Sequence, residues 1–311
     1  MTRLFKVLLS MLILTDIAFA KKDSSTIRKY KEYVADFQPL KNEPKLYREY
    51  MSIYYTDGKD TQTQEQIERG FRIVESVLKK NPKWVDGMWL LGSIAFQWAG
   101  TYQEEKDLPL ARKILVQGQE ATKKCLEIEA DNPLCKLFLG SMIGSIGTID
   151  GVFASIRRAK DVERLWLEVV NSEYNYNFYP TISMQGSVRY GLGIFYRLVP
   201  DLRILSWFFG VRGSIDKSIV MHRAGISIDG TNVCSDLMLA ASIVCKESGE
   251  KTSSLGKEGF SLLDKAAASK PKNITFQVCA KDAGKILHDP GLACGYSTAK
   301  QQDIDEEKID I

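Results

Sequence analysis

The stretch QEQIERGFRIVESVLKK, Gln64–Lys80, places Ile67, Phe71, Val74 and Leu78 at helical spacing and stops at Asn81-Pro82. A helical pattern then restarts and runs through Leu91-Gly92. The same succession recurs twice. Arg112–Glu129 stops at Ala130-Asp131 and resumes through Leu139-Gly140, and Ser214–Ile228 stops at Asp229-Gly230 and resumes through Leu239-Ala240. Helix, tight corner and second helix, recurring at an expected period of about 34 residues, predict a stack of antiparallel helix pairs. The expected fold class is all-α, an irregular α-solenoid over residues 64–290 in which each pair buries its apolar flank against its neighbours.

The chain has 311 residues, 44% of them hydrophobic, and a net charge of +3. That balance argues against a nucleic-acid partner, which requires a basic face or stripe. Arg3 and Lys6, the apolar run Val7–Leu14 and Ala18-Phe19-Ala20 form an export-signal pattern, so residues 1–20 are expected to be cleaved before Lys21. The expected location is the periplasm or the cell exterior. Residues 21–63 are expected to form an arm and a tyrosine-rich capping helix, and residues 291–311 an acidic, partly disordered tail.

Six cysteines suit an oxidising compartment. Cys125 and Cys135 flank one interhelix corner and are expected to pair. Cys234 and Cys245 fall on one predicted helix about 16 Å apart, too far for a mutual bond. Two full pairings remain, 234–279 with 245–294 or 234–294 with 245–279. The alternative is a single 279–294 bridge with Cys234 and Cys245 as buried thiols.

Leu137–Ile156 carries one charge, Asp150, which approaches the length of a membrane span. Its spaced glycines and its phase with the repeats favour a buried helix. Asn171–Pro180 holds Tyr174, Tyr176, Phe178 and Tyr179, and its asparagines and proline predict a loop. Leu198–Val211 inserts Leu202, Trp207, Phe208 and Phe209 where a repeat needs only a short turn. The simplest expectation is that this insertion packs back on the stack. A partner, ligand or peripheral membrane contact is the alternative.

No zinc-binding, phosphate-loop or nucleophile-elbow motif occurs. His222 is expected to serve packing, and no catalytic residue, metal or cofactor is expected. Recognition is expected on a concave face, with Trp89, Gln97, Arg157, Tyr196 and Arg197 as candidates, joined by Tyr179 from the aromatic loop and by Trp207 and Phe208 from the insertion.

Leu192-Gly193-Ile194-Phe195-Tyr196 matches the L-G-x-x-Y core of the tetratricopeptide repeat, which the chain resembles over residues 64–287, with divergence around 141–190. Within that superfamily, an exported chain carrying Leu192–Pro200 is similar to the T component of tripartite ATP-independent periplasmic transporters. The resemblance implies association with a periplasmic solute-binding protein and passage of apolar or acidic small ligands. Lys21 stands where lipoprotein members carry a cysteine, a departure that weighs against the lipid tether the resemblance would otherwise imply. The expected function is therefore a non-catalytic adaptor that recognises a protein partner on its concave surface. The alternative is a small-ligand carrier whose apolar cavity is closed by residues 171–180 and 198–211.

Overall fold

The computed structural model describes residues 29–55, 62–102 and 104–297. The predicted export signal and residues 298–311 of the predicted tail lie outside the described residues. Contacts divide the chain after Lys31; only residues 29–31 of the first unit are described, and residues 32–297 belong to the second.

Thirteen α-helices are present among the described residues, and the fold is all-α. A short α1 (Gln38–Lys41) and α2 (Pro44–Tyr54) precede α3 (Gln64–Lys80), α4 (Val85–Ala99) and α5 (Leu108–Ile128). Then follow α6 (Pro133–Asp150), α7 (Val152–Asn171), α8 (Met184–Leu198), α9 (Arg203–Phe209) and α10 (Ile215–Asp229). The chain continues through α11 (Val233–Lys246), α12 (Ser254–Ala268) and α13 (Ile274–His288).

Side-chain caps set many of these starts. Thr63 forms a reciprocal capping box with Gln66 at α3, Asn132 caps α6, and Asn232 with Ser235 does the same at α11. The predicted corners at Asn81-Pro82 and Ala130-Asp131 fall between helices, and Asp229-Gly230 falls at the end of α10.

The helices that pack most closely are α4 with α5, α6 with α7, α8 with α10, and α11 with α12. In three of these pairs the Leu–Gly step explains the approach. A Cβ on Gly92 would lie 2.6 Å from Thr122, one on Gly140 2.5 Å from the Trp166 indole nitrogen, and one on Gly193 2.5 Å from the His222 ring. The first helix of each pair thus lacks a side chain where its partner places one. Leu91, Leu139, Leu192 and Leu239 recur about 50 residues apart, not the roughly 34 of a tetratricopeptide unit. Long helices such as α5 and α7, and the insertion between α8 and α10, account for the excess.

Trp166 ties α7 to α6 by donating its indole N–H to the Leu137 carbonyl at 3.1 Å. Gly140→Ala is expected to cost about 1–3 kcal/mol, because the methyl meets a buried indole that its hydrogen bond to Leu137 holds in place. Gly144→Ala should be neutral or mildly stabilising, because its Cβ would meet only Trp166, at 3.9 Å. Urea titrations of both variants check the contrast.

The apolar run Leu137–Ile156 does not continue as one helix. It breaks at Gly151, whose φ of +99° suits only glycine, and the chain reverses into α7. No helix among the described residues is long and apolar enough to cross a membrane.

Residues 171–180, predicted as a loop, instead contain strand structure. Asn177–Tyr179 pairs antiparallel with Ile182–Ser183 across Pro180-Thr181. The Tyr33 N–H also donates to the Asn175 carbonyl at 2.7 Å. The hairpin's aromatic residues pack inward, with Phe178 against Phe138 and Trp89.

All six cysteines are bridged. Cys125–Cys135 spans the corner between α5 and α6 as expected. Cys279 and Cys294 do not pair with each other. Cys279 joins Cys234 and Cys294 joins Cys245, because α13 runs beside α11 and the turn Pro290–Ala293 returns to its far end. Residues 291–296 of the predicted tail are therefore anchored, with Ala293 and Tyr296 buried.

Candidate functional site

Helices from several of the pairs turn faces toward one cavity of about 740 Å³. α4 supplies Ile94 and Gln97, α6 supplies Phe138 and Ser141, α7 supplies Ile156 and Ala159, and α8 supplies Ile194 and Phe195. Phe178 and Tyr179 of the hairpin and Phe276 of α13 complete the wall, which is mostly apolar. Two lining residues among those described carry a full charge, and both are engaged. Arg158 pairs with Asp150 at 3.1 Å, and the Asp229 carboxylate accepts the Ser183 N–H at 2.8 Å.

A buried polar hub stands at one edge. Gln62 is 1% exposed. Its carbonyl oxygen accepts from Gln97 at 2.6 Å and from the Asn273 amide at 3.3 Å. Its amide donates to the Ile53 carbonyl at 3.0 Å, and the Tyr179 hydroxyl lies 3.5 Å away. Asn273 also caps α13 by accepting the Thr275 N–H. Gln62 thus ties α2, α4 and the hairpin to the start of the last helix. Nothing in the sequence singles it out, because it is one glutamine among polar residues ahead of a capping box.

The predicted site residues divide sharply. Gln97 and Tyr179 line the cavity. Trp89 lines it too, but it is 1% exposed and fixed. Its indole N–H donates to Asp86 at 2.6 Å, and its ring stacks on Phe138. Asp86 also accepts from the Tyr33 hydroxyl at 2.8 Å and from the Asp36 N–H at 2.7 Å.

Arg157 is exposed and does not line the cavity; its neighbour Arg158 does. Tyr196 is buried away from it, donating its hydroxyl to Glu163 at 2.9 Å, and burial raises its pKa well above the ordinary phenol range. Arg197 is also buried, and its guanidinium donates to the Ala293 and Cys294 carbonyls at 2.7 and 3.0 Å. It fastens the C-terminal turn and holds no carboxylate; burial lowers its pKa to about 10. Trp207 and Phe208 are 81% and 63% exposed and do not reach the cavity. The insertion therefore does not pack back at its tip. Its stem, Leu198–Pro200, does form part of the wall.

His222 packs on Gly193 and edge-on to Tyr190, as expected for a packing residue. Burial, with the Arg197 charge as a second cause, lowers its pKa from 6.5 to about 3. The unfolded chain takes up this proton near pH 6.5 and the folded chain only near 3. Stability supplied by the neutral imidazole is therefore complete above pH 6.5 and drains away as pH falls toward 3, at up to about 1.4 kcal/mol per pH unit. His222→Phe should flatten that slope in denaturation curves taken between pH 7 and pH 4. Equal slopes in both proteins would show that His222 is not the group responsible.

No protein-family model matches this chain, and no curated protein matches it.

Proposed function

We propose that the protein is a non-catalytic exported carrier that encloses one small apolar ligand. One observation carries this reading, the cavity of about 740 Å³ with a mostly apolar wall and no unengaged charge among its described lining residues. That volume falls in the range of sites that take small molecules. Aromatic rings supply contact area at little entropic cost, and the hydroxyl and amide groups of Ser141, Tyr179 and Gln97 give the ligand a few polar neighbours. Three disulfides fit an oxidising compartment.

The adaptor reading has less support. The inner helical faces that would receive a partner are the same faces that line the cavity, and the hairpin and the Gln62–Asn273 bridge border them. The resemblance to the transporter T component supports a role in which the ligand is passed to or from a periplasmic solute-binding protein.

Titration with the apolar fluorophore N-phenylnaphthylamine tests the carrier reading. Saturable enhancement at one site per chain is the expected result. Enhancement that rises linearly, or none, counts against it.

A further inference from the structure

We propose that α9 and its flanks form a docking surface for an anionic lipid bilayer. Leu202, Trp207, Phe208 and Phe209 are 51%, 81%, 63% and 38% exposed, all within one short segment. The Trp207 and Phe208 rings lie together, with centroids 4.7 Å apart. Clustered aromatic side chains in water are unfavourable, and a tryptophan beside basic residues suits the headgroup level of a bilayer.

Charge selects the occupant. α9 packs against α7, a helix that carries the exposed residues Arg157 and Lys160; a Cβ on Gly210 would lie 3.4 Å from the Lys160 chain. Arg203 lies on α9 itself. None of these three has an acidic partner within ion-pair distance among the described residues, whereas Arg212 is paired with Asp201. An acidic lipid headgroup complements this rim. A second copy of the chain would set the same positive charges against each other, which opposes self-association through the patch.

The stem of the segment, Leu198–Pro200, lines the cavity, so surface and cavity share one stretch of chain. Entry of an apolar ligand from lipid at this point rests on the proposed carrier function; the docking itself does not.

Flotation of the purified protein with vesicles tests the surface. Phosphatidylcholine vesicles containing phosphatidylglycerol should carry the protein upward, and phosphatidylcholine alone should carry far less. Trp84, Trp89, Trp98 and Trp166 are all 8% exposed or less, so a blue shift of emission on adding vesicles reports Trp207 entering lipid. The Trp207→Glu/Phe208→Glu variant should lose flotation while binding N-phenylnaphthylamine as wild type does. Arg157→Glu/Lys160→Glu should bind the anionic vesicles about tenfold more weakly. No flotation, equal flotation of the aromatic variant, or a dimer abolished by Trp207→Glu would overturn the proposal. The fluorophore titration would then still stand or fall by itself.

Discussion

The Cys245→Ala/Cys294→Ala variant is expected to unfold about 3–4 kcal/mol more easily than wild type, because this bridge closes a loop with a sequence separation of 49. The Cys234–Cys279 bridge, with a separation of 45, overlaps it in sequence. Together they clamp both ends of α11, one to α13 and the other to the turn after it. Removing both is expected to cost on the order of 7 kcal/mol, which matches much of the stability of an ordinary domain. The core of α11–α13 is modest, built around Leu237, Met238, Phe260, Leu263 and Ile286. Reduction should therefore loosen this end first. Cys125–Cys135 closes a separation of only 10 and should contribute less, about 2–3 kcal/mol. Guanidinium titrations of the single-bridge variants check the order, and an unchanged midpoint on loss of Cys245–Cys294 would contradict it.

The second large effect concerns the cavity. Gly144 lies on its wall, and a Cβ there would meet only Trp166, at 3.9 Å. Gly144→Phe therefore places a ring in the cavity without first colliding with a neighbouring helix. Replacing a mid-helix glycine should raise helix stability by roughly 0.3–0.5 kcal/mol. Apolar-probe affinity should nevertheless fall about tenfold or more, a loss of at least about 1.4 kcal/mol of binding free energy. A variant that is as stable as wild type yet fails to bind would separate occupancy of the cavity from integrity of the fold. Undiminished binding would place the probe elsewhere.

Much of the helical frame could be read from the sequence, because apolar periodicity, caps and corner residues are local signals. Ile67, Phe71 and Val74 are fully buried, and Thr63, Asn132 and Asn232 cap helices beside the expected corners. The Leu–Gly steps mark close approaches of paired helices, at Gly92, Gly140 and Gly193. The Leu–Gly spacing exceeds a tetratricopeptide unit because such a step fixes the contact but not how far each helix extends beyond it.

The site was less legible. A helix has two flanks, and spacing alone does not say which one faces the concave side. Arg197 follows Tyr196 by one position, yet turns to the carbonyls of Ala293 and Cys294, nearly a hundred residues away in sequence. Arg158 lines the cavity where Arg157 was expected to, for the same reason. Gln62 became visible only when Asn273 arrived beside it, a contact with a sequence separation of 211. Trp207 and Phe208 were expected to find cover because exposed rings are costly, but hydrophobicity alone does not reveal whether the chain itself provides that cover.

Native mass spectrometry of the protein taken from its own compartment without detergent tests the central claim most directly. The account predicts a small apolar molecule bound at one per chain in the wild type and absent from Gly144→Phe. A wild-type chain that is always empty, or an adduct retained equally by the filled variant, would contradict it.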